Sequence, residues 1–264
     1  MASSSVAWGY GPGPLVHPAT TEETETLVSI SDLHIPYHDE QVVDSAIRLI
    51  RRLRPHNVVI NGDVADFFQL SRFNTGTERM DDLQDEIDAA NSIRKRIRKA
   101  APDARIIENE GNHDHRFHKY VEEEARALKS LRDLDPRRQF MYDDLDIHWF
   151  PGAGFRIRKE FLVKHGTIVR GEAGASAKGE HLLSGISGIS GHTHRLAPYR
   201  REGYTKRVWW EQGCLCKLTP EYIVGSPNWT QGIVVCQFST TSDAFLVEPV
   251  EAVDGKLVYG GKAY

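Results

Sequence analysis

Side chains able to hold a divalent cation fall in five short clusters, each close behind an apolar run. In Asp32-Leu33-His34 the two polar residues are two apart, and in an extended segment such residues point the same way, so both can face one ion. In Gly62-Asp63-Val64-Ala65-Asp66 a carboxylate leaves an apolar run at a glycine, where it can bridge two cations. Gly111-Asn112-His113-Asp114 offers a neutral carbonyl oxygen from Asn112, beside a histidine that can act on a substrate. His165-Gly166 closes the apolar run 161–163, and Gly191-His192-Thr193-His194 places two imidazoles two residues apart after the run 186–189. Taken singly, Asp-x-His reads as a solvated turn, Gly-Asp as an ordinary turn and His165 as a structural histidine. The Gly-Asn-His-Asp and Gly-His-Thr-His tetrapeptides are the specific signals.

Short apolar runs alternating with amphipathic segments must position these clusters, which is the pattern of an α/β fold. Residues 27–31, 58–61 and 105–109 read as early strands. Val42, Val43, Ala46, Ile47, Ile50 and Leu53 recur at helical spacing between the first two. Residues 81–101 form the clearest helix, with a stripe of Leu83, Ile87, Ala90, Ile93 and Ile97. Acidic residues lie at its start and basic ones near its end, complementing the helix dipole. Further helices are expected over 117–131 and 172–183, and strands over 208–210, 232–238 and 244–250. Nothing marks a domain boundary. The Gly-Pro repeats at 11–14 and the polar run 20–26 suggest a loose N-terminal arm over 1–25, followed by one domain over 26–264.

At 264 residues the chain can bury a substantial core. A net charge of -4 excludes a global positive field for a long nucleic acid. No run of about 18 apolar residues predicts a membrane span. The first residues lack the pattern of a signal peptide. The odd set of Cys214, Cys216 and Cys236 suggests reduced thiols in a cytoplasm. Cys214-x-Cys216 imitates half of a metal site but has no second pair.

In order, Asp-x-His, Gly-Asp-x-x-Asp, Gly-Asn-His-Asp, His-Gly and Gly-His-x-His over residues 32–194 closely resemble the motif series of the calcineurin-like metallophosphoesterases. The resemblance implies two packed mixed β-sheets flanked by helices, with two metals at the strand ends. It assigns Asp32, His34, Asp63 and His194 to one metal, and a bridging Asp63 with Asn112, His165 and His192 to the other. Mixed N/O ligation without thiolate suits Mn, Fe or Zn, with Mn favoured. Two such ions, about 3.5–4 Å apart, lower the pKa of a bridging water and clamp the phosphoryl oxygens. In this family the residue at His113 is not a ligand: it donates a proton to the leaving oxygen, and Asp66 orients its imidazole. Arg116 and Arg195, each just beyond a motif, are candidate phosphate clamps.

One departure narrows the branch. The protein Ser/Thr phosphatases of the superfamily carry an arginine and then a glycine after the second Asp, where this chain has Phe67 and Phe68. The stand-alone prokaryotic and phage members are closer, including those that cleave cyclic nucleotides. His115, His118, Arg116, Lys119, Arg137 and Arg138 suggest a locally basic rim around the site. Trp209, Trp210 and Trp229 could stack a base, though such aromatics more often belong to a core or an interface. The expectation is therefore a phosphodiesterase acting on nucleotide or cyclic-nucleotide esters. A DNA or RNA nuclease, a phosphomonoesterase and a non-catalytic binding scaffold are the alternatives. Self-association is left open.

Overall fold

The computed structural model describes residues 13–71, 82–152, 154–203, 207–220 and 225–264. The chain runs β1 (Thr24–Ile30), α1 (Glu40–Leu53), β2 (Asn57–Ile60), α2 (Leu83–Ala100), β3 (Arg105–Asn109), α3 (Asp114–Glu123), α4 (Pro136–Gln139) and β4 (Ile147–Phe150). It continues through β5 (Phe155–Arg158), β6 (Phe161–Lys164), α5 (Ala175–Ser184), β7 (Ser187–Ser190), β8 (Leu196–Arg201) and β9 (Arg207–Gln212). The last elements are β10 (Gly232–Ser239), β11 (Phe245–Val253), β12 (Lys256–Tyr259) and β13 (Lys262–Ala263).

Among the described residues the strands form two mixed sheets, flanked by helices, in a single domain. One has the order β13-β12-β11-β10-β1-β2-β3-β4, the other β5-β6-β7-β9-β8. Strands β1 to β4 are parallel, as are β6, β7 and β9. Parallel strands covered on both faces read as continuous apolar runs, and Asn57–Ile60 is buried at every position. Alternate side chains then divide between two cores. Val28, Ile30, Val58, Ile60 and Ile106 pack with the helices α1 and α2. Leu27, Val59 and Ile107 meet Phe161, Val163 and Ile189 of the second sheet. Leu162 and Trp209 face the other way, against Ala177 of α5.

The helices begin where side chains satisfy their free amides. Asp39 accepts from the amides of Gln41 and Val42 before α1, and Asp82 from that of Gln84 before α2. The expected helix over 81–101 therefore starts at Leu83, and Asp81 lies outside the described residues. The expected helix over 117–131 begins earlier, at Asp114, and ends at Glu123, followed by short turns of 3₁₀ helix over 126–128 and 132–134. Leu128 and Leu131 sit at helical spacing but remain exposed, so no core holds that continuation in one helix. Helix α5 starts at Ala175 after Gly174, whose φ of 81° is left-handed.

The proximal part of the expected arm is tied to the fold. The Val16 amide donates to the Arg156 carbonyl at 2.9 Å, and the Arg156 amide to the Pro14 carbonyl at 2.8 Å, along β5. Thr24 and Glu25 already belong to β1. Residues 1–12 lie outside the described residues.

Candidate metal centre

All five motifs leave the carboxyl ends of parallel strands: Asp32 after β1, Asp63 after β2, Asn112 after β3, His165 after β6 and His192 after β7. Ligand sites of open α/β sheets form in that position, because side chains from neighbouring strand ends converge there. Convergence requires unusual backbone. Asp32, His34, Asp63, His192 and His194 all have φ between 48° and 70°, a left-handed conformation that costs L-residues energy. The motif glycines allow close approach. A Cβ on Gly111 would lie 2.1 Å from Asp63 Oδ1, and one on Gly191 would lie 2.1 Å from Ser31 Oγ.

The donors fall in two sets. Asp32, His34 and His194 form one, with His194 Nε2 3.3 Å from Asp32 Oδ1 and 3.0 Å from His34 Nε2. Asp63, His165 and His192 form the other. There His165 Nε2 is 3.2 Å from Asp63 Oδ2 and 3.2 Å from Asn112 Oδ1. Asp63 lies between the sets, because its Oδ2 is also 3.6 Å from His34 Nε2. These separations match the edges of a coordination shell with ligands at about 2.0–2.2 Å.

In His165, His34 and His194 the ring nitrogen turned away from the centre has a partner that fixes the imidazole. His165 Nδ1 meets the Asn61 carbonyl at 2.8 Å, and His34 Nδ1 meets Asp66 Oδ1 at 3.1 Å. His194 Nδ1 faces Cys216 Sγ at 3.7 Å. Each Nε2 is thus directed inward, which is how metal-binding histidines are oriented. Electrostatics agree. Burial alone would lower His165 and His194, but Asp63 and Asp32 outweigh it and push each up to about 10. Burial, with the neighbouring His165, brings His192 down to about 4. The centre thus holds positive charge against its carboxylates, a role that divalent cations can fill. Mixed nitrogen and oxygen donors fit borderline ions.

His113 sits beside the centre. Its Nδ1 is 3.0 Å from Asp66 Oδ1 and 2.9 Å from the Asp66 carbonyl, while its amide donates to Asp63 Oδ1 at 2.8 Å. Asp66 therefore holds two imidazoles, His34 and His113. Burial works against its carboxylate, yet hydrogen bonds from both histidines keep it well below the usual range. Arg116 donates to the Asp66 carbonyl at 2.8 Å and brings its other guanidinium nitrogen to 3.2 Å from His113 Nε2. Arg195 is placed differently: it donates to the carbonyls of Arg170 and Asn228, bracing two loops.

The family model for calcineurin-like phosphoesterases matches residues 26–231, most of the chain. This chain belongs to the calcineurin-like phosphoesterases. Among its relatives, the "Gene 54 protein" of Mycobacterium phage D29 is 28% identical over 229 residues, spanning 79% of this chain and 87% of that protein. The protein of the same name from Mycobacterium phage L5 is 26% identical over 257 residues, spanning 91% and 99%. The solved structure of vacuolar protein sorting 29 from Cryptosporidium parvum aligns over 89% of this chain and 95% of its own at a TM-score of 0.49 and 15% identity.

For several residues of this calcineurin-like phosphoesterase the sequence showed the residue but not its place at the centre. Cys216 and Cys214 group with His194, the first directly behind its imidazole. The Asn61 carbonyl behind His165 is backbone and carries no sequence signal. Asp114 accepts from the amides of Val64, Ala65 and Gly111, tying two motif loops together. Trp229 has its ring centroid 4.2 Å from that of His194, at the site, whereas Trp209 and Trp210 are buried in the cores. The expected basic rim is largely neutralised: Arg137 pairs with Asp143, Arg138 with Asp133, and His115 and His118 with Glu110. No described helix is long and apolar enough to cross a membrane.

Proposed function

We propose that this phosphoesterase is a dinuclear phosphodiesterase acting on nucleotide-derived esters. The observation that carries the reading is the convergence of all seven expected donors at the strand ends, in two sets with Asp63 between them. Asp32, His34, Asp63 and His194 would hold one divalent ion; Asp63, Asn112, His165 and His192 would hold the other. Manganese leads, with iron or zinc also suited to this donor set. When bound, the two ions supply Lewis acidity to the phosphoryl oxygens and acidify water.

The chain supplies the remaining steps. His113, protonated and held by Asp66, donates a proton to the leaving oxygen through Nε2. Arg116 donates toward that nitrogen at 3.2 Å when it is unprotonated, and when Nε2 carries the proton the guanidinium turns to the phosphoryl oxygens and stabilises their charge. The guanidinium of Arg195 is engaged with loop carbonyls, so Arg116 is the better clamp. A cavity of about 550 Å³ opens beside His113, lined by Gln69, Asn112, His115, Arg116, Lys119 and Tyr120. It offers room for the second ester substituent, which favours a diester over a monoester, while Arg116 and Lys119 are balanced in its lining by Glu123 and Glu124. Three free, buried thiols suit a reducing, cytoplasmic setting.

Turnover of bis(p-nitrophenyl) phosphate and p-nitrophenyl phosphate, with Mn added and then removed by EDTA, tests the reading. Metal-dependent turnover favouring the diester is expected, and then a screen of cyclic nucleotides and oligonucleotides. Preference for the monoester would replace the diesterase by a phosphomonoesterase. Metal retained without any turnover would refute catalysis and leave a binding scaffold.

A further inference from the structure

His115 and His118, both partly exposed, turn toward a carboxylate that the reaction does not use. Glu110 follows β3, is 3% exposed, and lies between the two imidazoles. His115 Nδ1 is 3.2 Å from its Oε2, and His118 Nδ1 is 3.5 Å from its Oε1. One donor atom from each of the three residues lies within 4.8 Å of the others. The histidines are three apart at the start of α3, which puts both on one helix face.

Ion pairing alone explains this arrangement poorly. His118 Nδ1 is buried and makes no hydrogen bond. At 3.5 Å from Oε1 it lies beyond the range of about 2.7–3.2 Å for a good N–H···O bond. A tetrahedral ion with ligands at about 2.0–2.2 Å instead sets its donors about 3.3–3.6 Å apart. The other ring nitrogen of His118 is 3.7 Å from Glu122 Oε1, an oxygen held by Lys129 Nζ at 2.8 Å, so a carboxylate lies near the imidazole on its outer side without a direct hydrogen bond. Trp149 flanks the His118 ring at 5.9 Å between centroids.

We propose that Glu110, His115 and His118 form a further divalent-cation site of zinc type, with water as its fourth ligand. It is separate from the donors of the catalytic centre. Asn112, His113 and Arg116 all lie between its first and last residues in sequence. The ion fixes α3 to the end of β3 and so holds that segment from behind. His115 also lines the cavity beside His113, so the site forms part of the substrate wall.

The test is a zinc count that does not depend on turnover. Full-length wild type, H118Q and H115Q are stripped with chelator, equilibrated with zinc and freed of excess. Zinc per chain is then measured by mass spectrometry, with circular dichroism to verify folding. Both substitutions fall on partly exposed side chains of a surface helix, so at least one variant is expected to fold. Each folded variant should carry one zinc fewer per chain than wild type. The same difference should persist in a D63N background, where the catalytic centre is impaired. Cobalt-loaded wild type should show the intense visible absorption of a tetrahedral ion, reduced in H118Q. Equal zinc counts and equal cobalt spectra in wild type and variants would overturn the site, whatever the fate of the proposed catalytic reading.

Discussion

Asp66 offers a sharp test of how the centre is held, because one carboxylate oxygen serves two histidines with different tasks. Asp66 Oδ1 is 3.1 Å from His34 Nδ1 and 3.0 Å from His113 Nδ1. Asp66→Asn keeps the shape but replaces two charge-assisted bonds with two neutral ones. A hydrogen bond to a charged group contributes about 1.5–3 kcal/mol and a neutral one about 0.5–1.5 kcal/mol, so each bond loses about 1–1.5 kcal/mol. Together the loss is about 2–3 kcal/mol, which is about 30- to 160-fold in kcat/KM on the diester. In a His113→Ala background only the His34 share remains, and D66N should cost a further 5- to 13-fold, roughly. The assay is kcat/KM at saturating manganese for wild type, both single variants and the double variant. A D66N enzyme within about threefold of wild type would refute the argument from charge-assisted bonds. If D66N has no effect on H113A, Asp66 acts through His113 alone.

Three other outcomes follow from the structure. His113→Ala should retain the metals, counted by mass spectrometry, and lose most rate on esters with poor leaving groups; equal loss on activated aryl esters would remove its role as proton donor. Arg94 and Glu108 are 2% and 1% exposed and paired at 2.6 and 2.9 Å, so Arg94→Met leaves a buried carboxylate and should cost about 3–5 kcal/mol in denaturant unfolding. A loss under about 1 kcal/mol would show that Glu108 finds other compensation. Glu25 is buried at the start of β1. Burial would raise its carboxyl, but hydrogen bonds from Asn57, the Ala19 amide and Arg158 bring it below its usual 4.5. Its contribution is therefore present above that value and lost as pH falls below it, so Glu25→Gln should flatten the acid side of the stability profile. An unchanged profile would show that Glu25 does not govern acid sensitivity.

The centre was legible in the sequence because its parts are local. Each motif follows a buried parallel strand that reads as an apolar run, and four of the five carry a glycine where backbone and side chain meet. Gly111 against Asp63 Oδ1 and Gly191 against Ser31 Oγ show why those glycines recur beside the ligands. Helices α1 and α2 were legible because a wide apolar stripe meets the eight-stranded sheet. The short edge strands were not. β8 has the sequence LAPYRR, mostly exposed, and gains its place only by pairing with β9. β4 likewise depends on β3, distant in sequence, whereas β5, β12 and β13 are short strands that pair with a neighbour in the chain and bury too little to leave a clear apolar run. The end of α3 was misplaced because Leu128 and Leu131 have helical spacing but no core to meet. The basic rim was overread because charge counts do not show that Arg137, Arg138 and the two histidines are already paired.

The division of donors between the two sheets has a mechanical consequence. Asp32, Asp63 and Asn112 belong to one sheet, and His165, His192 and His194 to the other, so cations held as proposed would act as a clasp across the sandwich. An ion that binds the native chain but not the unfolded one adds RT ln(1 + [L]/Kd) to stability, and here that free energy resists the sheets sliding apart. Grip also runs the other way. Phe161 and Phe238 interlock at 4.9 Å between ring centroids in the core between the sheets. Loosening that contact would let one half of the clasp drift, and the loss would be felt as weaker metal affinity at the strand ends, far from the altered side chain.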